Sequence, residues 1–338
     1  MPWRDTTDPY AIWVSETMLQ QTQVATVIPY YLRFLARLPT VMALAEAPVD
    51  EVLALWAGLG YYSRARNLHA AAGRIVTEHG GRFPSDQDAI RALPGVGPYT
   101  AGAILSIAFG RPVPAIDGNV ERVLCRLYRI PGAPKRAPAR GLIHGRARDL
   151  VACSDPGSMT QALMELGAVV CTPTSPDCPE CPLQDHCVTR ADGTQAQYPQ
   201  LPPRAPTVRQ ATAAAVIRSE DKVLLARRPD SGVWAGLWEF PQVEVEGGAH
   251  AELALHVRDS LGLVIEVGAP LVHLVHGIMN RRVHLTAYEC AVTGGSLQVV
   301  GYTQARWLAA GEPATLPLSS PHRKIARRLG TVGEGEST

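Results

Sequence analysis

The sequence predicts two domains, an all-α domain followed by an α+β domain, and three observations carry that prediction. From residue 9 to about residue 170, short amphipathic segments with helical spacing alternate with Gly and Pro. Four cysteines, Cys171, Cys178, Cys181 and Cys187, close that block within one short stretch. After residue 209 the texture changes to runs rich in Val, Leu, Ile and Thr between turn residues, the pattern of strands.

Length and composition agree with two domains. The chain has 338 residues, 46% of them hydrophobic, enough for two buried cores. No apolar run approaches the ~20 residues of a membrane span, and residues 1–20 show no basic segment followed by an apolar one. A soluble, intracellular (cytoplasmic) chain that does not contact membranes is expected. Formal net charge is only +1, so any contact with a polyanion must come from a local surface.

In chain order, helices are expected at residues 50–57, 65–79 and 100–109. Between helical segments lies Leu93-Pro94-Gly95-Val96-Gly97, whose two glycines allow a tight turn with bare amides at a helix start. Such a turn is also a common plain connector. Asp117 follows in Pro114-Ala-Ile-Asp-Gly-Asn-Val, placed to cap a helix that starts near Asn119. Residues 188–209 lose periodicity and gain Pro, as a linker does. Strands are expected at 211–217, 222–226 and 283–292, and a helix at 250–260. The domain boundaries read 1–187, a linker 188–209, 210–330, and a disordered tail 331–338.

The cysteine spacing is C-x6-C-x2-C-x5-C, with Pro173, Pro176, Pro179 and Pro182 between the thiols. The prolines exclude a helix and let the backbone curl around one inorganic centre, and four thiolates suit an iron-sulfur cluster or zinc. Zinc more often takes two separate CxxC knuckles, whereas only Cys178 and Cys181 form one here. Seven cysteines in a large chain argue against a disulfide framework. Cys125, Cys153 and Cys290 read as buried thiols.

Hairpin, aspartate and cysteine loop in this order resemble the helix-hairpin-helix superfamily of DNA glycosylases, in the branch with a 4Fe-4S cluster. Segments WVSETMLQQTQV, LWAGLGYYSRARNL, LPGVGPYTAGAI and DGNVERVL, with the cysteine loop, resemble MutY-type adenine DNA glycosylases from residue 2 to about 190. The resemblance implies a base-excision-repair enzyme, a monomer acting on duplex DNA that carries adenine opposite 8-oxoguanine or guanine. Cys171, Cys178, Cys181 and Cys187 would hold the cluster as a scaffold.

Cleaving a base from deoxyribose needs an acid for the leaving base and a negative charge beside the oxocarbenium-like sugar. By resemblance, Glu16 protonates N7 of adenine and Asp117 steadies the sugar cation. Apolar neighbours on its helix would keep Glu16 protonated. Tyr99 and Asn119 would hydrogen-bond around Asp117, Gln161 would touch the flipped adenine, and Trp3 and Arg4 would line its pocket. Where related bifunctional enzymes carry a Schiff-base lysine in the hairpin motif, this chain has Tyr99, which implies a monofunctional glycosylase. Leu19, Gln21 and Tyr61 match the positions inserted beside the mismatch, and Arg64 and Arg66 are candidate phosphate contacts. The start at Met1-Pro2-Trp3 lacks the helix that usually precedes this motif, as a truncated start would.

Residues 210 to about 330 resemble the Nudix-like C-terminal domain of the same enzymes through Lys222-Val-Leu-Leu-Ala-Arg-Arg-Pro and Gly236-Leu-Trp-Glu-Phe-Pro. With Gly262 as the late glycine of a Nudix box, its metal-binding glutamates are replaced by Leu255-His-Val-Arg-Asp-Ser. Recognition of 8-oxoguanine then fits better than pyrophosphate hydrolysis. The family's Phe-Ser-His loop is replaced by Ile278, Met279 and Asn280, so Asn280 would supply the hydrogen bond to the lesion. A bifunctional glycosylase/lyase and a non-catalytic damage-binding protein are the alternatives. The second has no use for Glu16 together with Asp117.

Overall fold

The computed structural model describes residues 1–203, 205–309 and 312–331. Contacts divide it into two units, residues 1–52 with 64–203 and residues 53–63 with 204–338.

The first unit is helical. It contains α1 (Pro9–Leu19), α2 (Val24–Arg37), α3 (Val41–Glu46), the start of α4 (Val49–Trp56), α5 (Ser63–His79), α6 (Gln87–Arg91), α7 (Pro98–Ile107), α8 (Gly118–Leu127), α9 (Ala139–Val151), α10 (Pro156–Glu165) and α11 (Val188–Ala191). Helix α1 is buried from Tyr10 to Met18, the mark of a central helix without a polar face. Asp8 caps its start by accepting the amides of Tyr10 and Ala11. Its end is held by the buried Arg64 of α5, which donates to the carbonyls of Thr17, Met18 and Gln20 at 2.9, 2.9 and 2.6 Å. Arg64 therefore serves as a helix cap and is not the phosphate contact expected of it. Helix α10 runs on into a π-helical turn, Leu166–Val170, that delivers Cys171.

The second unit is a sheet with helices on its faces. Its elements are β1 (Val208–Ser219), β2 (Lys222–Arg227), β3 (Trp238–Glu239), β4 (Gln242–Glu244), α12 (Ala249–Leu261), β5 (Leu263–Ile278), β6 (Arg281–Gly295), β7 (Gln304–Ala309) and α13 (Ser320–Thr331). Strand order is β3-β2-β1-β6-β5, with β4 on β1 and β7 on β2. β1 and β6 are parallel, pairing Ala211 with His284 and Ala213 with Thr286. Alternate residues feed two cores. Ala214, Val216, Val283 and Leu285 meet Ile325 of α13, and Ala213, Ala215 and Ile217 meet Leu253 and Val257 of α12. Tyr62, from the early stretch of this unit, approaches the Leu318 carbonyl and receives a hydrogen bond from Arg323 at 3.1 Å.

Several expectations change. The stretch 188–209 is not an aperiodic linker throughout. It holds α11 and a 3₁₀ turn, Gln195–Gln197, while the Gln195 and Tyr198 carbonyls accept from Arg126. Strands β5 and β7 and helix α13 add to the expected elements. Cys125 and Cys290 are buried thiols, but Cys153 is exposed. Of the expected tail, 332–338 lie outside the described residues.

Candidate active site and cysteine loop

Two carboxylates open onto one cavity in the first unit. Its walls include Trp3, Arg4, Glu16, Leu19, Gln21, Gly95, Gly97, Tyr99, Asp117 and Asn119. Glu16 is 5% exposed, and burial pushes its carboxyl above the usual range. The hydrogen bond from Tyr99 and the charge of Arg4 pull it back down, and the charge of Asp117 pushes it up.

The expected partnership around Asp117 divides. Tyr99 does not serve Asp117: its hydroxyl donates to Glu16 Oε2 at 2.6 Å. Asn119 Nδ2 does donate to Asp117 Oδ2 at 2.9 Å. The other oxygen of Asp117 accepts the Val120 amide at 2.8 Å, so it also caps α8. Asp117 is thus a helix cap that also lines the cavity.

The hairpin aims these groups. Gly95 has φ +75°, and a Cβ there would lie 2.7 Å from Asn67 Cβ. Gly97 caps the start of α7, which carries Tyr99. Trp3 is buried edge-on against Tyr31 at 5.3 Å, and Arg4 lies 3.7 Å from Glu165. Gln21 is exposed with φ +57°. Gln161, on α10, is not among the residues lining the cavity. Tyr61 is 59% exposed, with φ +47°, and belongs to the second unit.

Residues 14–143 match the HhH-GPD superfamily base excision DNA repair protein family, 171–187 the iron-sulfur binding domain of endonuclease III, and 212–328 the NUDIX domain. Adenine DNA glycosylase of Homo sapiens is 36% identical across 97% of this chain and 70% of its own length. The Rattus norvegicus protein is 37% identical, covering 94% and 71%. This chain belongs to the adenine DNA glycosylases. Among solved structures, a thermostable thymine-DNA glycosylase matches with TM-score 0.52 and 29% identity, over 57% of this chain and 88% of that one.

The glycosylase is a base-excision-repair enzyme that acts on DNA and binds an iron-sulfur group. Cys171, Cys178, Cys181 and Cys187 line one small cavity together with Arg126 and Gln195. The donors around them suit thiolates: Arg126 Nη1 lies 3.4 Å from Cys171 Sγ and Gln195 Nε2 3.6 Å from Cys178 Sγ. Burial raises the Cys181 thiol, and the charges of the other three add to the rise.

Sequence reasoning missed two arginines of α8. Arg126 donates to the Thr172 and Pro173 carbonyls at 2.7 and 2.9 Å, and Arg122 to those of Cys171 and Gly167 at 2.8 and 2.7 Å. Arg122 also donates to Asn119 Oδ1 at 2.8 Å, so a hydrogen-bonded chain runs from the cysteine loop to Asp117. Two arginines one turn apart, just after Asp117, were the only signal.

In the second unit of the glycosylase, Leu255 to Ser260 lie on α12, which ends at Gly262 with φ +70°. Asn280 sits at the β5–β6 turn, where its carbonyl accepts the Val208 amide at 2.9 Å and its Nδ2 lies 3.5 Å from the Pro206 carbonyl. Its neighbours Ile278 and Met279, rather than Asn280, line a cavity with Trp234 and His276.

Proposed function

We propose that the enzyme removes adenine paired with 8-oxoguanine or guanine by monofunctional hydrolysis, with Glu16 as proton donor and Asp117 beside the sugar. The observation that carries this reading is the buried Glu16, bonded to Tyr99 at 2.6 Å, facing the same cavity as Asp117. Because Tyr99 donates to one Glu16 oxygen, the acid's proton belongs on the other. That oxygen can give it to N7 of an extruded adenine. Asp117, held as an acceptor by Asn119 and the Val120 amide, faces the developing sugar cation and then the attacking water. Tyr99 has no amine, so no imine with the sugar forms and the product is an abasic site.

Leu19 and Gln21 at the cavity rim fit a wedge beside the mismatch. Four thiols around one cavity fit a 4Fe-4S group, which would act as a scaffold for the loop. Base excision needs no electron transfer. A monomeric state and lesion reading by Asn280 complete the reading.

Single-turnover excision on duplexes with adenine opposite 8-oxoguanine, guanine or cytosine tests it. Adenine release without strand cleavage, fastest opposite 8-oxoguanine, is expected. Borohydride-trapped covalent product would overturn the monofunctional mechanism, and equal rates opposite 8-oxoguanine and guanine would remove lesion reading. Iron and acid-labile sulfide at about four each per chain would establish the cluster type.

A further inference from the structure

With a net charge of +1, the chain must meet DNA through local surfaces. One such surface lies on the second unit, beside the turn at Asn280 but on the sheet face opposite the cavity that Ile278 and Met279 line. Arg209 of β1 is the direct register partner of Arg282 of β6, and both are exposed. Two residues along β6 comes His284, and His273 of β5 tilts against it with ring centroids 5.7 Å apart. His273 pairs in register with Thr286 and bonds its hydroxyl at 3.1 Å. Strand alternation puts all four side chains on one face.

Like charges directly opposite each other on neighbouring strands are unfavourable. Burial and then the positive charges of Arg209, His273 and Arg282 all act against a proton on His284. Helix α12, which covers the rest of this face, brings His250 against Tyr288 at 5.0 Å. On the opposite face, by contrast, Arg281 is balanced by Glu244 at 3.6 Å. The uncompensated group suits a polyanion, and the enzyme's polyanion is DNA.

We infer that Arg209, Arg282, His273 and His284 form a phosphate-contact face on which the second unit grips the DNA backbone. The contact is independent of base identity and of the chemical step.

The test measures affinity of the full chain for a mispaired duplex whose target deoxyadenosine carries a 2′-fluorine that blocks cleavage. In Arg209→Gln/Arg282→Gln, the slope of log affinity against log salt is expected to become shallower by about 2, because each phosphate contact contributes about 0.9. His273→Gln/His284→Gln should weaken binding at fixed salt and pH. Saturating single-turnover excision should stay unchanged in both variants. Arg218→Gln, a half-buried arginine 3.9 Å from Glu289, is the charge control. Thermal melting of each variant, with Arg282→Gln and His284→Gln as milder single changes, separates lost contact from lost fold. Salt slopes and affinities equal to wild type, or an equal loss in Arg218→Gln, would overturn the inference.

Discussion

Glu16 combines burial with a single strong donor, and both leave signatures in activity. With Glu16 as the proposed proton donor, the rate should fall as pH rises past its raised pKa. Glu16→Gln should lower adenine release at least about 10²-fold while duplex binding survives. Tyr99→Phe removes the hydrogen bond that pulls the carboxyl down, so the alkaline limb of the pH profile should move to higher pH as the rate drops. Single-turnover rates across pH check both. Glu239 offers a stability counterpart: it is 1% exposed, and burial pushes it up to about 7 against the pull of Arg228 at 2.9 Å. The unfolded chain gives up this proton first, so stability present below the unfolded pKa is lost as pH rises toward 7. Glu239→Gln should flatten that loss, by about 3 kcal/mol at most, as read by denaturant melts at several pH values. Glu16 and Asp117 were legible because they stand in motifs. Arg122 and Arg126 were not, because an arginine on an amphipathic helix looks solvated until the loop wrapped over it is known.

Among the elements, α7 is pressed closely against the segment that leads to Asp117. A Cβ on Gly102 would lie 2.2 Å from the Pro114 carbonyl oxygen, in the backbone segment that leads to Asp117. Gly102→Ala should therefore cost roughly 1–3 kcal/mol or more and slow excision, checked by urea denaturation beside single-turnover rates. The helical block was readable from spacing, and α12 was placed to within one residue at each end. Strand β5 was not, because Gly268 and Pro270 interrupt its run. The structure absorbs them as irregularities on either side of Pro270, where pairing with β6 shifts register. Helix α13 did carry a signal in His322, Ile325, Ala326 and Leu329, spaced for one buried face. Its basic residues masked that spacing.

At the scale of the whole molecule, a loop with only short helical turns depends on a helix far from it in sequence. Arg126 is 3% exposed and spends its guanidinium on carbonyls of residues 172, 173, 195 and 198. Arg126→Met should retain its bulk and lose these bonds. Iron and sulfide content per chain should fall, with visible absorbance as the readout. The two-domain organisation was visible as a change of texture, but not that residues 53–63 belong with the second unit. That membership has a consequence in time. Tyr62 and Arg323 are 261 positions apart, and at ~5–20 residues per second a ribosome needs roughly 13–50 s to make the second after the first. During that interval Leu53, Trp56 and Leu59, all buried in the finished protein, wait for the rest of their unit. The nascent chain thus carries an apolar stretch that a chaperone can recognise well before the sheet exists.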